Sequence, residues 1–528
     1  MTRWPHPLQR LPAAVPQLHD CLEESAHRLP DKIAIVNGER RLSYAEIDAQ
    51  SNALAHQLGR LGVERGDRVV VFGDNTVETV VAFWGVLKAS GGVSVVSPQT
   101  KAGKLAHLLI DCGATALVCD AVLARVWAPA VAEAPGLKAV AAWGNLAKTP
   151  AIDWPQVVPW LADGTVEDAA SPPPRRGIDT DLAAIIYTSG STGEPKGICL
   201  THRNMLAAAT SITTYLGNVE DDVILCGLPL SFDYGLYQVI MAFRCGARVV
   251  LERSFAYPAH VLNVCMREGV TGFPGVPTVF AMMREMKNLG EYDFSSIRYV
   301  TNTAAALSLK HIEFIRQTFT SARVFSMYGL TECKRCTYLP PEDLDGKPLS
   351  VGIAIPNTEL WLVDEHDNRL GPGQVGQLVI RGATVMKGYW GKPEATARKL
   401  RPGPISGEQV LYTGDYCRLD EDGYLYFVGR MDEVIKSRGE KVAPEEVERA
   451  LMKIPGVREA GVKGVPDEVL GQAIKAFIIL EAGAQLTEQA IRIECQGRLE
   501  SYMVPKYVTF VASLPRTTTG KIARAELT

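Results

Sequence analysis

The chain has 528 residues, 47% of them hydrophobic, and its 55 basic against 59 acidic residues leave a formal net charge of -4. That length allows more than one domain and a large core, and the near-balance of charge gives no electrostatic case for a nucleic acid or an anionic membrane as partner. The 11 cysteines, odd in number and scattered, suit reduced thiols in a cytoplasm.

In chain order, the N-terminal stretch MTRWPHPLQRLPAAVP has early prolines and no apolar core of signal-peptide length. No uncharged apolar run reaches about 18 residues, so no membrane span is expected. The most apolar window, 80–96, is interrupted by Lys88 and by Gly91-Gly92. Residues 31–42 read as a hairpin turning at Asn37-Gly38. Ser43 and Glu46 form a capping box that opens a helix stopping near Gly62. Residues 68–72 predict a strand, 77–90 a helix and 116–119 a further strand. This alternation argues for an α/β fold with a largely parallel sheet. Residues 165–180, with prolines up to Pro174 and then Arg175-Arg176, read as a surface linker.

An apolar strand from Leu182 then runs into YTSGSTGEPKG at 187–197. Gly190, Gly193 and Gly197 let backbone N–H groups approach an anion closely. Thr188, Ser189, Ser191 and Thr192 add donors, and Lys196 adds a point charge suited to polyphosphate. The stretch is a phosphate-cradling loop by composition, though not a Walker loop, whose spacing is absent. A flexible Gly/Ser linker is the plainer alternative, but a linker has no reason to follow a buried strand and carry one lysine. Further α/β units follow, with strands at 223–226, 247–251, 296–301 and 323–326 and helices at 235–243, 262–268, 276–286 and 309–319. Between 340 and 430 prolines and glycines become dense and short alternating strands appear (378–381 and 424–428), a β-rich subdomain. A boundary near 430 divides the chain into domains at 1–430 and 431–528. The second reads as a small α+β domain, with helices at 444–453 and 487–499 and strands at 473–480 and 507–512. Cys333 and Cys336 have C-x-x-C spacing, but no second pair and no thioredoxin-like context supports a metal or redox role.

The loop at 187–197 resembles the signature loop of the adenylate-forming enzymes: acyl-CoA synthetases, nonribosomal peptide synthetase adenylation domains and luciferases. Further motifs follow in that family's order: YGLTE at 328–332, YTGD at 412–415, GRMD at 429–432 running on to Lys436, and PRTTTGK at 515–521. Each alone fits a turn or a basic tail. Together they span nearly the whole chain, and segments 376–382 and 388–390 match further family stretches.

The resemblance implies a large N-terminal domain of two α/β subdomains plus a β-rich subdomain, with a small mobile α+β C-terminal domain as a lid. It implies ATP and Mg²⁺, and two steps: a carboxylate attacks ATP to give acyl-AMP and pyrophosphate, then a thiol displaces AMP. By the same resemblance, the loop residues Thr188, Ser189, Gly190, Ser191, Thr192, Gly193 and Lys196 bind ATP, with Thr188 also catalytic. Thr303 and Ala304 belong to the adenine-side loop, where glycine is commoner. Tyr328 lies against adenine beside Gly329, Thr331 contacts phosphate and Glu332 holds Mg²⁺. Asp415 binds ribose, Arg430 contacts the nucleotide and Asp432 is the hinge. Lys436 helps to place the intermediate, and Lys521 is the adenylation lysine. Attack of one anion on another needs positive charge, and Lys521, Lys196, loop amides and the cation would supply it.

The segment from Pro229 to Gly235, PLSFDYG, departs from plain acyl-CoA synthetases, which often carry His there. It resembles the Phe-Asp motif of peptide synthetase adenylation domains, in which the aspartate pairs with a substrate α-ammonium. Asp233 therefore predicts an amino acid substrate; an Asp233 bonded to backbone would fit a plain organic acid and an acyl-CoA synthetase. The other pocket positions implied are Tyr234, Tyr237, Pro274, Val300, Asn302, Met327, Arg335 and Cys336. Arg335, if turned inward, could hold a second carboxylate or a polar tail; turned outward it is a solvated arginine. With no carrier or condensation domain after Lys521, the acceptor thiol would arrive in trans, from coenzyme A or from the phosphopantetheine of a carrier protein. A non-catalytic acyl-AMP-binding regulator and a luciferase-like oxygenase are the alternatives on the same fold.

Overall fold

Strand Arg68–Phe72 shows how the large domain is built. Its residues after Arg68 are all buried, as in a parallel sheet covered on both faces. Side chains alternate across the sheet, so Val69 and Val71 enter one core while Val70 and Phe72 enter another. The computed structural model describes residues 16–148, 156–160, 171–189, 195–303, 307–431, 433–437, 440–467, 470–516 and 522–528.

Arg68–Phe72 lies in an eight-stranded sheet whose spatial order is Gly388–Tyr389, Pro195–Thr201, Leu182–Ser189, Gly92–Val96, Arg68–Phe72, Ala114–Asp120, Ala139–Trp143 and Gln156–Pro159. Strands from Leu182–Ser189 onward along that order are parallel; the two before it are antiparallel. A nine-stranded sheet runs Ile353–Ala354, Thr337–Tyr338, Arg323–Tyr328, Tyr299–Asn302, Gly272–Gly275, Val223–Cys226, Arg248–Leu251, Ile33–Asn37 and Arg40–Ser43. Its middle strands, Arg323–Tyr328 to Ile33–Asn37, are parallel.

The two sheets are not independent. Helices Tyr44–Arg60, Val77–Lys88, His202–Leu216 and Asp233–Cys245 place Leu54, Trp84, Met205 and Phe243 in one continuous core. That core also takes Val69 and Val71 from one sheet and Ile35 and Val249 from the other. Trp84 stacks on Phe243 at 5.5 Å with the rings 22° apart. Each sheet's outer face has its own helical cover and core. The two α/β subdomains read from the sequence therefore share their central helical layer.

Local signals are honoured where they were strong. Ser43 and Glu46 make the capping box, and the helix it opens ends at Arg60. The first hairpin turns one residue later than expected: Asn37 pairs with Arg40, leaving Gly38 and Glu39 as the turn, with Gly38 at φ 64°. Strands Gly92–Val96 and Pro195–Thr201 were not foreseen, being short and glycine-flanked at the start or inside the phosphate loop.

The β-rich region forms a five-stranded antiparallel sheet. It carries Gln409–Leu419 and Leu425–Arg430 side by side. Beyond it, a five-stranded sheet built on Val457–Asp467 and Gly471–Leu480 is covered by helices Pro444–Leu451 and Glu488–Gln496. This part has its own core, including Val447, Leu451, Ile478 and Ile491. Arg524 closes it, with ion pairs to Glu433, to Glu445 at 2.8 Å and to Glu448 at 2.9 Å. Among the described residues no helix is long and apolar enough to cross a membrane.

Because Trp84 is fully buried in the layer common to both sheets, Trp84→Ala should destabilise the large domain by about 3–5 kcal/mol. Urea unfolding followed by tryptophan fluorescence measures this. A loss below about 1.5 kcal/mol, the range of a well-tolerated core exchange, would show that the sheets do not depend on their shared layer.

Candidate active site

The two described ends of the phosphate loop belong to an antiparallel strand pair, Leu182–Ser189 with Pro195–Thr201, in which Thr188 lies opposite Lys196 and Tyr187 opposite Gly197. A Cβ on Gly197 would stand 2.8 Å from Ile185 Cγ2, so the packing there requires glycine. Of the residues expected to act, Gly190, Ser191, Thr192, Gly193, Ala304, Asp432 and Lys521 lie outside the described residues. Ser189 ends strand Leu182–Ser189, and Lys436 is the middle residue of the short strand Ile435–Ser437.

Lys196 leads to the expected magnesium ligand. Its Nζ is 5.7 Å from the centroid of the Tyr389 ring. Strand Gly388–Tyr389 is paired with the hairpin, Tyr389 facing Ile198. The Tyr389 hydroxyl donates to Glu332 Oε1 at 2.7 Å, and the Met386 N–H donates to the Glu332 carbonyl at 2.7 Å. Burial and then the Glu332 carboxylate push the Tyr389 hydroxyl well above its ordinary pKa, so it stays a donor. Among the described residues nothing else bonds the Glu332 side chain, which leaves carboxylate oxygen for a hard cation such as Mg²⁺.

A second group assembles at the end of the central sheet. The Tyr328 hydroxyl donates to Asp415 Oδ2, and Arg430 Nε is 3.2 Å from Asp415 Oδ1. Asp415 and Arg430 are direct partners in their ladder, and the Asp415 N–H donates to Thr413 Oγ1 at 3.1 Å. Burial first, then Asp415, raises the Tyr328 pKa. An ionised carboxylate offers about four acceptor sites, so Asp415 can serve Tyr328 and Arg430 and still accept from ribose hydroxyls. Thr303 is buried just after strand Tyr299–Asn302, and Thr331 is partly exposed.

Between these groups the loop from Tyr328 to Cys336 closes on itself. The Cys336 N–H donates to the Tyr328 carbonyl at 3.0 Å. A Cβ on Gly329 would meet the Lys334 carbonyl at 2.5 Å and Arg335 Cα at 2.9 Å, so only glycine allows the closure. Lys334 takes a left-handed φ of 61°. The result is that Glu332 faces Tyr389, while Lys334 and Arg335 turn inward and are 3% and 2% exposed. Arg335 is thus not a solvated arginine.

Lys334 changes the reading of Asp233. Its Nζ is 3.3 Å from Asp233 Oδ2 and 4.2 Å from the centroid of the Tyr237 ring. Burial draws the Lys334 pKa down to about 7, with Asp233 opposing. The aspartate expected to meet a substrate ammonium meets an ammonium of its own chain. The Arg335 guanidinium lies 5.2 Å over the Tyr234 ring, and the Tyr234 hydroxyl is 2.8 Å from Thr301 Oγ1. The Tyr215 hydroxyl is 2.9 Å from Met327 Sδ, and its ring stacks on Tyr338 at 4.2 Å. Burial pushes the Tyr215 hydroxyl up in pKa, and Arg335 beside it pulls the other way. Asp233, Tyr234, Tyr237, Met327 and Arg335 are therefore one cluster at the strand ends. Cys336 joins the same core, its Sγ 2.9 Å from that of Cys333, both as free thiols. Pro274 lies beside Thr301 in the next strand, and Asn302 is buried at the strand end.

Val300 departs from the expectation. It is fully buried with Phe273, Ile315 and Val324 in the outer core, whereas Tyr234, Tyr237 and Met327 belong to the central one. The period of two along the strand accounts for this: Thr301, its neighbour, is the residue that meets Tyr234. Two residues with clear contacts went unassigned from the sequence. Tyr389 sits in the GYW segment at 388–390, noted only as a match, and Lys334 sits between the two cysteines with nothing local to show that its charge turns inward.

Comparison with known proteins bears on the chain as a whole. Residues 22–390 match the family model of the AMP-binding enzyme, and residues 446–521 that of the AMP-binding enzyme C-terminal domain. The long-chain-fatty-acid–CoA ligase of Bacillus subtilis (strain 168) is 31% identical over 98% of this chain and 95% of its own length. The 4-coumarate-CoA ligase 1 of Narcissus pseudonarcissus is 30% identical over 97% of this chain and 93% of its own. Among solved structures, the anthranilate CoA ligase AuaEII in complex with anthranoyl-AMP superposes with a TM-score of 0.86 at 27% identity, covering 97% of this chain and 96% of that one. The o-succinylbenzoate CoA synthetase of Bacillus subtilis with its acyl-adenylate intermediate gives 0.81 at 26% identity, covering 96% and 97%.

Tyr389→Phe removes the hydrogen bond to Glu332 and leaves the ring under Lys196. Loss of such an outer partner typically weakens a metal site or its activity about 10–100-fold. The Mg²⁺ concentration for half-maximal pyrophosphate release should rise accordingly, while the thermal midpoint holds. An unchanged magnesium requirement would separate Tyr389 from the cation.

Proposed function

The chain belongs to the AMP-binding enzyme family, and on that premise we propose that it joins an organic acid, not an α-amino acid, to the thiol of coenzyme A. It is an AMP-forming acid–thiol ligase. The observation that carries the choice of acid is the buried Lys334–Asp233 pair at 3.3 Å. A substrate ammonium beside Asp233 would stand within reach of one buried cation and near a second, Arg335, and like charges in a low-dielectric site repel strongly. The names of the relatives point the same way: fatty acid, coumarate, anthranilate and o-succinylbenzoate ligases all name CoA. Activation of an amino acid for a carrier protein is the second reading. It needs Asp233 to release Lys334, and the family likeness of the Phe-Asp motif is what favours it.

In the first step a carboxylate oxygen of the acid attacks the α-phosphorus of ATP and the bond to pyrophosphate breaks. Lys196 and the loop amides, with Lys521, offset the repulsion between the two anions. Glu332, oriented by Tyr389, would hold magnesium, which when bound supplies positive charge at the phosphates. Asp415 accepts from ribose, with Arg430 alongside, and Tyr328 and Thr303 flank the base. In the second step the thiol sulfur bonds to the acyl carbon, the thiol proton is lost and AMP leaves. Rotation at Asp432 would exchange Lys521 for Lys436 between the steps and admit the thiol. The free state of all 11 cysteines supports a reducing compartment such as the cytoplasm.

The test is pyrophosphate release with Mg·ATP across amino acids, fatty acids and aryl acids, with Lys521→Ala as control and acyl-CoA detected as product. Turnover is expected with organic acids only, and lost in the control. Adenylation of amino acids in preference would overturn the choice of acid. Asp233→Asn leaves Lys334 buried without its partner, so it should lower thermal stability and turnover with every acid alike; adding Lys334→Met should recover the stability. Loss confined to amino acids would restore the ammonium-pairing role of Asp233.

A further inference from the structure

We propose that the acid carries a second carboxylate, at the end remote from the one adenylated, and that Arg335 receives it. The inference rests on the organic-acid reading above and adds the chemical class of the acid.

The argument is a count of buried charge. Lys334 and Arg335 are both buried basic side chains, at 3% and 2% exposure. Asp233 answers one of them, Lys334. Among the described residues no carboxylate lies within ion-pair reach of Arg335, and its Nε has no hydrogen-bond partner. What Arg335 does touch is the face of Tyr234 and the neighbourhood of the Tyr215 hydroxyl. An aromatic face offsets only part of the cost of desolvating a cation. A guanidinium also presents planar paired donors that match a carboxylate far better than an ammonium does. A buried cation lacking its anion, inside an acid-binding site, calls for that anion from the ligand.

Position agrees with charge. Tyr234 bonds Thr301, the residue preceding Asn302 and Thr303 at the end of a parallel strand. In open α/β sheets ligands bind at that end of the strands. The reacting end of the acid belongs elsewhere, with Glu332, whose side chain faces Tyr389 and the phosphate hairpin. Residues close in one loop therefore face opposite ways, because Lys334 takes its left-handed turn between them. One side of the loop meets the phosphates and the other is free to meet the far end of the acid.

The test compares aliphatic and aromatic dicarboxylic acids with their monomethyl esters, which keep size but lose the second charge. Wild-type enzyme should prefer a diacid to its half-ester by roughly 100-fold or more in kcat/KM for pyrophosphate release, as a site built for a polar group does when the group is missing. Arg335→Met should collapse that preference to within about threefold, and Arg335→Lys should keep part of it. The thermal midpoint of Arg335→Met should hold or rise, since an unanswered buried charge has been removed, and a diacid should raise the midpoint of wild type only. Several outcomes overturn the proposal. Use of half-esters or simple monoacids as well as diacids by wild type is one, and it leaves the ligase reading intact. A lower midpoint of Arg335→Met with diacid and half-ester depressed equally is another, and it makes Arg335 structural. Turnover with amino acids alone, or with no acid at all, removes the organic-acid reading and this inference together.

Discussion

The site depends on one close approach. The backbone of Lys334 and Arg335 lies against Gly329, in the space where a side chain would be. That contact, with the hydrogen bond from Cys336 back to Tyr328, folds the loop after the last parallel strand into a closed turn. Everything specific about the site follows from how the turn distributes its side chains. Glu332 goes to the phosphate hairpin and Tyr328 to Asp415, while Lys334 and Arg335 go to the acid cluster. A larger residue at Gly329 would have to push backbone against backbone, which no rotamer change relieves.

The large domain supplies the rigidity this turn needs. Its two sheets share one layer of helices, so the strand ends that carry Thr301, Tyr328 and the phosphate hairpin are held by a common core. Helix Asp233–Cys245 belongs to that layer, and it delivers Asp233, Tyr234 and Tyr237 from its first turns. The cluster around Asp233 and the strands of the phosphate hairpin are thus held by one core although they come from distant parts of the chain. Such positioning is what lets a site hold opposing charges in reacting geometry.

The small domain is organised around a different charge. Arg524 pairs with Glu433 and with Glu445 and Glu448 of the first helix. Burial raises the Glu445 pKa to about 7, with Arg524 as the main opposing influence. Arg524 thus ties the end of the chain to the segment at Glu433 and to helix Pro444–Leu451. The charge groups of the two domains differ: Arg524 is answered by carboxylates of its own chain, while Arg335 has no carboxylate within ion-pair reach among the described residues.

The sequence by itself determined the class of fold and the order of the chemistry. Strand Arg68–Phe72 and the capping box at Ser43 were legible because local periodicity and local hydrogen bonding decide them. The phosphate loop, Glu332 and Asp415 could be singled out because short motifs carry them. Only the tertiary structure decided what those residues meet. Nothing near Lys334 in the chain shows that its ammonium takes Asp233, since the two come together through a left-handed residue and a helix far away in sequence. Val300 was expected in the pocket by family resemblance, and the alternation of its strand turns it into the outer core instead. Tyr389 meets Glu332 because its strand pairs with the phosphate hairpin. Motifs specify which groups are present; burial and long-range packing decide which charges are already paired and which are left for a substrate, and that is a property of the whole fold.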